Sequence, residues 1–319
     1  MMSTSHYPVM LEEAVKALAP SDGDTVVDAT FGGGGHARRI LRELGPGGRI
    51  VGIDRDPEAA GRASRLMEED RRFTFRPGAY DEVLADLVEE GYKADAALFD
   101  LGPSSYQIDE AERGFSYVRE GPLDMRMDPG HGESAADFLN AAEAAEIAEV
   151  LVRYGDVPRG EARRVVKEIV RRRPLGTTLE LSEAVRAAVG WKGRGGNPAK
   201  KVFQAVRVYV NDELGGLERA LGEAERLLVP GGRLVTITFH SGEDRLVKRF
   251  ILDRAGLCIC PPELPVCVCG VRPIFRKGVV RQPSAREIEE NPRSASARLR
   301  SAVRTAKPLE AGGSLGEPP

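Results

Sequence analysis

The segment Thr25-Val26-Val27-Asp28-Ala29-Thr30-Phe31-Gly32-Gly33-Gly34-Gly35-His36, followed by Arg49-Ile50-Val51-Gly52-Ile53-Asp54, constrains this chain more than any other feature. It reads as a strand, a glycine turn, a helix and a second strand that ends in an acid. Four consecutive glycines strip the turn of Cβ atoms, so a ligand can lie against backbone N–H groups at a helix N-terminus. Asp54 falls 20 residues after Gly34, about the ~20-residue spacing at which a doubly wound sheet sets a carboxylate against ribose hydroxyls. The expectation is an adenosine-containing cofactor. Gly32, Gly34 and Ala37 also satisfy the G-x-G-x-x-G/A pattern of dinucleotide sites. Asp28 beside the loop suits a cationic ligand, such as the sulfonium of S-adenosylmethionine, better than a pyrophosphate.

The same rhythm continues. A helix is expected over Leu11–Leu18, strands over Thr25–Thr30, Arg49–Asp54, Phe73–Arg76 and Ala96–Asp100, and helices over His36–Leu44, Pro57–Glu69 and Asp81–Glu90. Strands alternating with helices imply an α/β fold with a parallel, doubly wound Rossmann-like sheet. From about Ala111 to Lys201 no strand pattern is present. A long helix over Phe203–Leu228, a Pro230-Gly231-Gly232 turn, a fifth strand over Arg233–Phe239 and a helix over Glu243–Leu252 follow, and Pro273–Phe275 and Gly278–Arg281 read as paired late strands. This predicts a discontinuous cofactor domain (1–110 and 203–301), an inserted helical domain (111–202) and a disordered Gly/Pro-rich tail (302–319). Such an insert lies near the carboxyl ends of the strands, where ligands bind.

The net charge of −3 conceals a dipole. Val157–Val210 carries thirteen Lys/Arg and four Asp/Glu, whereas Glu110–Asp156 carries four and eleven. Arg163, Arg164, Lys167, Arg171, Arg172 and Arg173 recur at helical spacing, Lys192, Arg194, Lys200 and Lys201 lie in and after a Gly-rich loop, and Arg272–Arg300 adds a second basic segment. The pattern reads either as a phosphate-binding footprint or as solvated helix faces, and two such segments favour RNA. No apolar run approaches the ~20 residues that span a bilayer, and Met1–Val9 lacks the regions of a signal peptide. A cytoplasmic protein with no membrane partner is expected, with monomer and homodimer both left open. The four cysteines, Cys258, Cys260, Cys267 and Cys269, form two C-x-C pairs around three prolines. In a reducing compartment this knuckle reads as a structural zinc site or as a proline loop holding free thiols. A closed four-thiolate site would leave no open position for catalysis.

Strand four ends in Asp100-Leu101-Gly102-Pro103-Ser104-Ser105-Tyr106-Gln107, at the position that faces the reacting end of a cofactor. Asp100 there can accept a hydrogen bond from an amine. With His6-Tyr7-Pro8-Val9, Gly32–His36, Glu112-Arg113-Gly114-Phe115-Ser116-Tyr117, Gly121-Pro122-Leu123-Asp124-Met125-Arg126-Met127-Asp128, Phe203-Gln204-Ala205-Val206-Arg207, Thr238-Phe239-His240-Ser241 and Asn291-Pro292-Arg293-Ser294, the chain resembles the RsmH (MraW) family from about His6 to Arg300. These are S-adenosylmethionine-dependent methyltransferases of small-subunit ribosomal RNA. Pro103 stands where the family has valine and Tyr106 where it has proline, which bears on the shape of that loop.

The resemblance implies a class I methyltransferase fold and cofactor contacts from Gly34, Gly35, His36, Asp54, Tyr80, Asp100 and Gln107. It implies methylation of the exocyclic amine of one cytidine in 16S ribosomal RNA near the decoding centre, on a small subunit in the cytoplasm. Asp100 and Asp124 are the candidates for accepting the amine's hydrogen bonds, with a loop-fixing role as the alternative for Asp124. Phe115, Tyr117 and Tyr106 are candidates for stacking on a base or for core packing, and His240 and Ser241 for lining the pocket. A nicotinamide-dependent oxidoreductase and a non-catalytic RNA-binding factor are the competing classes.

Overall fold

A computed structural model describes residues 7–191, 193, 196–256 and 273–305. The four cysteines, Lys192, Arg194 and the segment 306–319 lie outside the described residues, and with them the zinc reading and most of the predicted tail.

The chain alternates as its periodicity dictates: α1 (Leu11–Leu18), β1 (Thr25–Asp28), α2 (Gly35–Glu43), β2 (Arg49–Asp54), α3 (Pro57–Glu69), β3 (Phe73–Pro77), α4 (Tyr80–Glu89) and β4 (Ala94–Asp100). Asp56 caps α3 by accepting from the Glu58 N–H, with Pro57 in the first turn. The strands β1, β2 and β4 are apolar on both sides, the mark of a sheet covered by helices on two faces. Val26, Ile50, Leu98, Val235 and Ile237 pack with Leu18, Ile40 and Leu66 of α1–α3. The alternate residues Val27, Val51, Ile53 and Phe99 pack on the opposite face with Leu84, Leu87, Leu217, Leu221 and Val247.

After β4 come α5 (Ser105–Asp109), α6 (Ala135–Ala141), α7 (Ala144–Gly155), α8 (Arg159–Arg172), α9 (Thr178–Val189), α10 (Ala199–Val210), α11 (Glu213–Leu227) and β5 (Leu228–Thr238). They are followed by α12 (Ser241–Arg254), β6 (Phe275–Arg281), α13 (Ala285–Glu290) and β7 (Arg298–Arg304). The sheet order is β3-β2-β1-β4-β5-β7-β6. β1 to β5 are parallel, and β7 runs antiparallel to both neighbours. The order reverses at β1, so the carboxyl ends of β1 and β4 flank the crevice of a doubly wound fold.

Four sequence expectations shift. The long helix over Phe203–Leu228 is two helices, because Asp212 turns left-handed (φ 47°) and the Asn211 side chain leaves the helix to bind the backbone of Met125 and Met127. Val202, Phe203, Ala205 and Val206 of α10 belong to the insertion's own core with Leu139, Ile147, Leu151, Val165 and Ile169, so the boundary placed at residue 202 cuts through a helix that the insertion uses. The late hairpin is absent: Phe275–Arg281 is a single strand on β7, bulged between Lys277 and Val280 around Gly278. A Cβ at Gly278 would meet the Ser301 hydroxyl at 2.3 Å. β7 itself was not foreseen. It extends through Arg304, with Leu299 and Ala302 fully buried, so residues 302–304 are sheet and not tail.

Candidate active site

The glycine turn is shaped first by the chain's own packing. Gly34 has φ +76° and a Cβ there would sit 2.7 Å from the Phe31 ring, while one on Gly35 would sit 2.2 Å from Pro8. A Cβ on Gly33 would sit 2.9 Å from the edge of the Tyr106 ring, and Tyr106 in turn lies under the Arg62 guanidinium, 4.4 Å from its ring centre. The tyrosine that departs from the family pattern therefore covers the turn. The loop is not bare along its length, and the exposed N–H groups are fewer than four glycines imply.

Asp54 closes β2 as foreseen. Its two oxygens accept the Gly32 N–H (2.7 Å) and the Asp56 N–H (2.9 Å), which locks the turn against the strand end. Carboxylate oxygens carry more than one acceptor direction, so this does not exhaust Asp54. Burial pushes its pKa up against those two N–H bonds.

Three polar groups converge beside the turn. Asp28, at the end of β1, is 1% exposed, and burial pushes its carboxyl up to about 7 despite the Thr30 N–H. His36, in the first turn of α2, is buried and held down to about 4, so it is neutral. Its Nδ1 lies 3.5 Å from Asp100 Oδ2. Burial, with Asp28 and Glu243 nearby, raises Asp100 well above the carboxylate range. Asp28 Oδ2, His36 Nε2 and Asp100 Oδ1 are buried and have no hydrogen-bond partner. Buried polar atoms are normally satisfied. A cluster of three orphans at the carboxyl edge of a parallel sheet marks a place that a ligand completes.

The remaining predicted residues are more tightly occupied. The Tyr80 hydroxyl donates to the Glu213 carbonyl (3.3 Å) and the ring meets Phe99 edge-on (6.0 Å between centres). Gln107 completes the capping box of α5 with Ser104 and donates to Asp56 Oδ2 at 2.8 Å. Asp124 is chelated by Arg126 through Nε and Nη2, both at 2.8 Å, and its carbonyl accepts from Ala135. Burial would raise Asp124, but the Arg126 contacts outweigh it and keep the group ionised. Of the two candidate acceptors, Asp100 has the unused oxygen.

Several residues that organise the site carried no role in the sequence. Arg113, nearly buried, pairs with Asp56 (2.9 Å) and donates to the Arg126 and Met127 carbonyls. Arg55 reaches the Asn211 carbonyl at 2.9 Å. Together with the Asn211 side chain they fasten the Gly121–Asp128 loop to the end of β2. Arg113 and Arg207 stand inside quoted motifs, but their partners are 57 and 6 residues away, and no local spacing announces such pairs.

Behind Asp100, Glu213, His240 and Glu243 bring ligand atoms within 4.8 Å of one another, as a metal site would. The local hydrogen bonds exclude that use. His240 Nδ1 accepts the Gly242 N–H (3.2 Å) in capping α12, which puts the ring proton on Nε2, facing Glu243 at 3.2 Å. Glu213 is gripped by Arg207 at 2.7 and 2.9 Å. Ser241 donates to Asp156. His240 and Ser241 thus cap and tie rather than line the pocket.

A cavity of about 330 Å³ lies between the segment that follows β4 and the insertion. Pro103, Phe115, Tyr117, Lys200, Gln204, Arg207 and Arg293 are among the residues that border it, with Met125 and Phe203. Of the three stacking candidates, Phe115 and Tyr117 are here, whereas Tyr106 is on the glycine turn. A hollow of about 790 Å³ between α7 and α8 is lined by alanine, valine and exposed cations and holds none of the orphaned groups.

The basic segments separate in the same way. Arg171 and Arg172 pair with Glu168, and Arg173 donates to the Leu139 and Ala142 carbonyls. Arg293 pairs with Asp109, and Arg298 and Arg300 with Asp244. Among the described residues, Arg159, Arg163, Arg164 and Lys167 on α8 are exposed and have no such partner.

A family model described as the MraW methylase family matches residues 3–305. The chain is 73% identical to the ribosomal RNA small subunit methyltransferase H of Rubrobacter xylanophilus, over 97% of this chain and 98% of that one. It is 47% identical to the proteins of the same name from Thermomicrobium roseum, over 96% and 95%, and Symbiobacterium thermophilum, over 95% and 98%. Among the described residues no helix is long and apolar enough to cross a membrane. With the sheet order, the glycine turn, the acid-tipped fourth strand and these relatives together, the chain belongs to the MraW methylase family.

Proposed function

We propose that this chain transfers a methyl group from S-adenosylmethionine to the exocyclic amine (N4) of a cytidine in 16S ribosomal RNA near the decoding centre, on the small subunit in the cytoplasm. The observation that carries the reading is the orphaned Asp100 Oδ1, buried at the end of β4 next to neutral His36 and Asp28.

The residues fit a cationic nucleoside. Two buried acids with unused oxygens flank the glycine turn, and no anion would be welcome there. Gly34, Gly35 and His36 would hold the methionine end, Asp54 the ribose hydroxyls, and Tyr80 the adenine side, with Gln107 acting through Asp56. When bound, the cofactor supplies a methyl on a positively charged sulfur, which the amine lone pair takes as the sulfur keeps the S–C electron pair. The chain's task is positioning, because a cytosine amine is a poor nucleophile whose lone pair is delocalised into the ring. Asp100 Oδ1, ionised once a cation lies beside it, accepts an amine N–H and orients the lone pair. After transfer the nitrogen is strongly acidic, so a weak acceptor at Oδ1 suffices to take the proton. The cavity bordered by Pro103, three residues beyond Asp100, has room for a splayed base, with Phe115 or Tyr117 beside it.

The test is to treat small subunits with the protein and labelled cofactor, digest the RNA and identify the nucleoside by mass spectrometry. One N4-methylated cytidine is expected, and a different modified base overturns the reading. Calorimetry separates the nicotinamide alternative: tight NAD binding without S-adenosylmethionine binding rejects the proposal.

A further inference from the structure

One face of α10 carries polar groups that its own packing leaves unused. Lys200, Gln204 and Arg207 follow one another at i, i+4 and i+7 on α10 and all border the 330 Å³ cavity. Each of the two inner residues is half used. Glu213 takes the Nε and Nη2 ends of Arg207, at 2.7 and 2.9 Å, and Nη1 with its two N–H donors has no partner among the described residues. The Gln204 amide donates Nε2–H to the Tyr154 carbonyl at 3.1 Å, and Oε1 likewise has no partner. The Tyr154 bond fixes the amide's orientation: a flip would set Oε1 against a carbonyl oxygen, so the end left unused is an acceptor.

We propose that Gln204 and Arg207 read the target base, Oε1 accepting from an exocyclic amine and Nη1 donating to the adjacent ring nitrogen and carbonyl oxygen, so that the cavity admits cytosine and rejects uracil. This rests on the cytidine reading of the preceding section and deepens it. Cytosine presents donor, acceptor, acceptor along its pairing edge; uracil presents acceptor, donor, acceptor. Against uracil, Gln204 Oε1 would face a carbonyl oxygen and the Arg207 fork would face an N–H. Neither side chain can adapt, the first because of Tyr154 and the second because of Glu213. Lys200, exposed at the outer end of the same stripe, is placed for the backbone phosphate. Phe203 borders the cavity between them, with Tyr117 edge-on to it at 6.0 Å.

The experiment compares binding of two small-subunit RNA fragments, identical except for cytidine or uridine at the position the protein methylates, by competition with a fluorescent RNA. Wild-type protein should prefer cytidine by roughly tenfold or more, as one bidentate base contact gives. Gln204→Leu, which removes the acceptor, and Arg207→Lys, which keeps a cation on Glu213 but removes the fork, should each bring that ratio close to one while cofactor affinity stays as in the wild type. A purely structural role for either residue would weaken both RNAs equally and leave the ratio unmoved. That outcome in either folded variant overturns the proposal. The two readings fail separately: wild-type protein that methylates a base other than cytidine overturns both, and methylated cytidine with an unmoved ratio overturns only this one.

Discussion

The carboxyl edge of the sheet and the outer face of α8 are both unbalanced in charge, but in opposite environments. At the sheet edge, Asp28 is buried and Asp100 half-buried, each with a buried orphaned oxygen, and burial drives both acids toward their neutral forms. On α8, Arg159, Arg163 and Lys167 stand in water at four-residue intervals, about 6 Å apart along the axis. A buried unpaired acid is costly and persists where a ligand repays the desolvation. An exposed unpaired cation is cheap and acts through screened, long-range attraction. The first region is therefore expected to be specific and sensitive to pH, the second unspecific and sensitive to salt.

The sharpest way to break this contrast is at Asp100. Asp100→Asn keeps the shape and removes the charge, and should lower the methyl-transfer rate by roughly 10²–10³-fold, the scale of a lost transition-state electrostatic contact. Initial rates on small subunits measure it, and a rate within a few-fold of wild type would leave the edge without its acceptor. On α8, reversing Arg159, Arg163 and Lys167 to Glu together should weaken RNA binding by roughly tenfold or more. It should also reduce the slope of log affinity against log salt by about 2, three contacts at ~0.7 each for single-stranded RNA. Reversing Arg171 and Arg172 instead should have a smaller effect, since Glu168 and Glu183 already offset their charge. Equal effects from the two sets would dissolve the distinction between paired and unpaired cations.

The smallest effect is on stability. Asp28 titrates at about 7 folded and about 3.9 unfolded. Between these values the folded state holds a proton that the unfolded state lacks. The stabilisation is complete below about pH 4 and disappears as pH rises through 7, at up to about 1.4 kcal/mol per unit. Asp28→Asn keeps the acceptor for the Thr30 N–H and removes the ionisation, so it should gain on the wild type by up to about 1.4 kcal/mol for each unit of pH between about 4 and 7. Urea melts across that range measure it. A difference that does not vary with pH would mean that Asp28 is not a strained acid.

The parallel core was legible because local signals agree with the global fold. Apolar strands, glycine stops and helix caps alternate at their own periods, and β1 to β4 stand within a few residues of expectation. The second half was harder. β7 has polar neighbours on its exposed face and four arginines or serines in seven residues, so its buried Leu299 and Ala302 do not stand out until the strand is inserted beside β5. The break at Asn211-Asp212 carries neither Gly nor Pro; what breaks the helix is a loop 84 residues earlier that recruits the Asn211 side chain.

The candidate site divides along the same line. The amino-acid sequence alone determined that Asp54 and Asp100 each close a strand of one parallel sheet near a glycine turn, because strand ends and turns are set by near neighbours. Only the tertiary structure decided which acid is used up and which is not: Asp124 is chelated by Arg126 two residues away, whereas Asp100 lies half-buried beside His36 with one buried oxygen left over. It likewise decided which cations are free, since an arginine's partner depends on whatever carboxylate or carbonyl the fold brings within 3 Å. Periodicity records which face of an element is buried; it carries no record of what a polar side chain finds there.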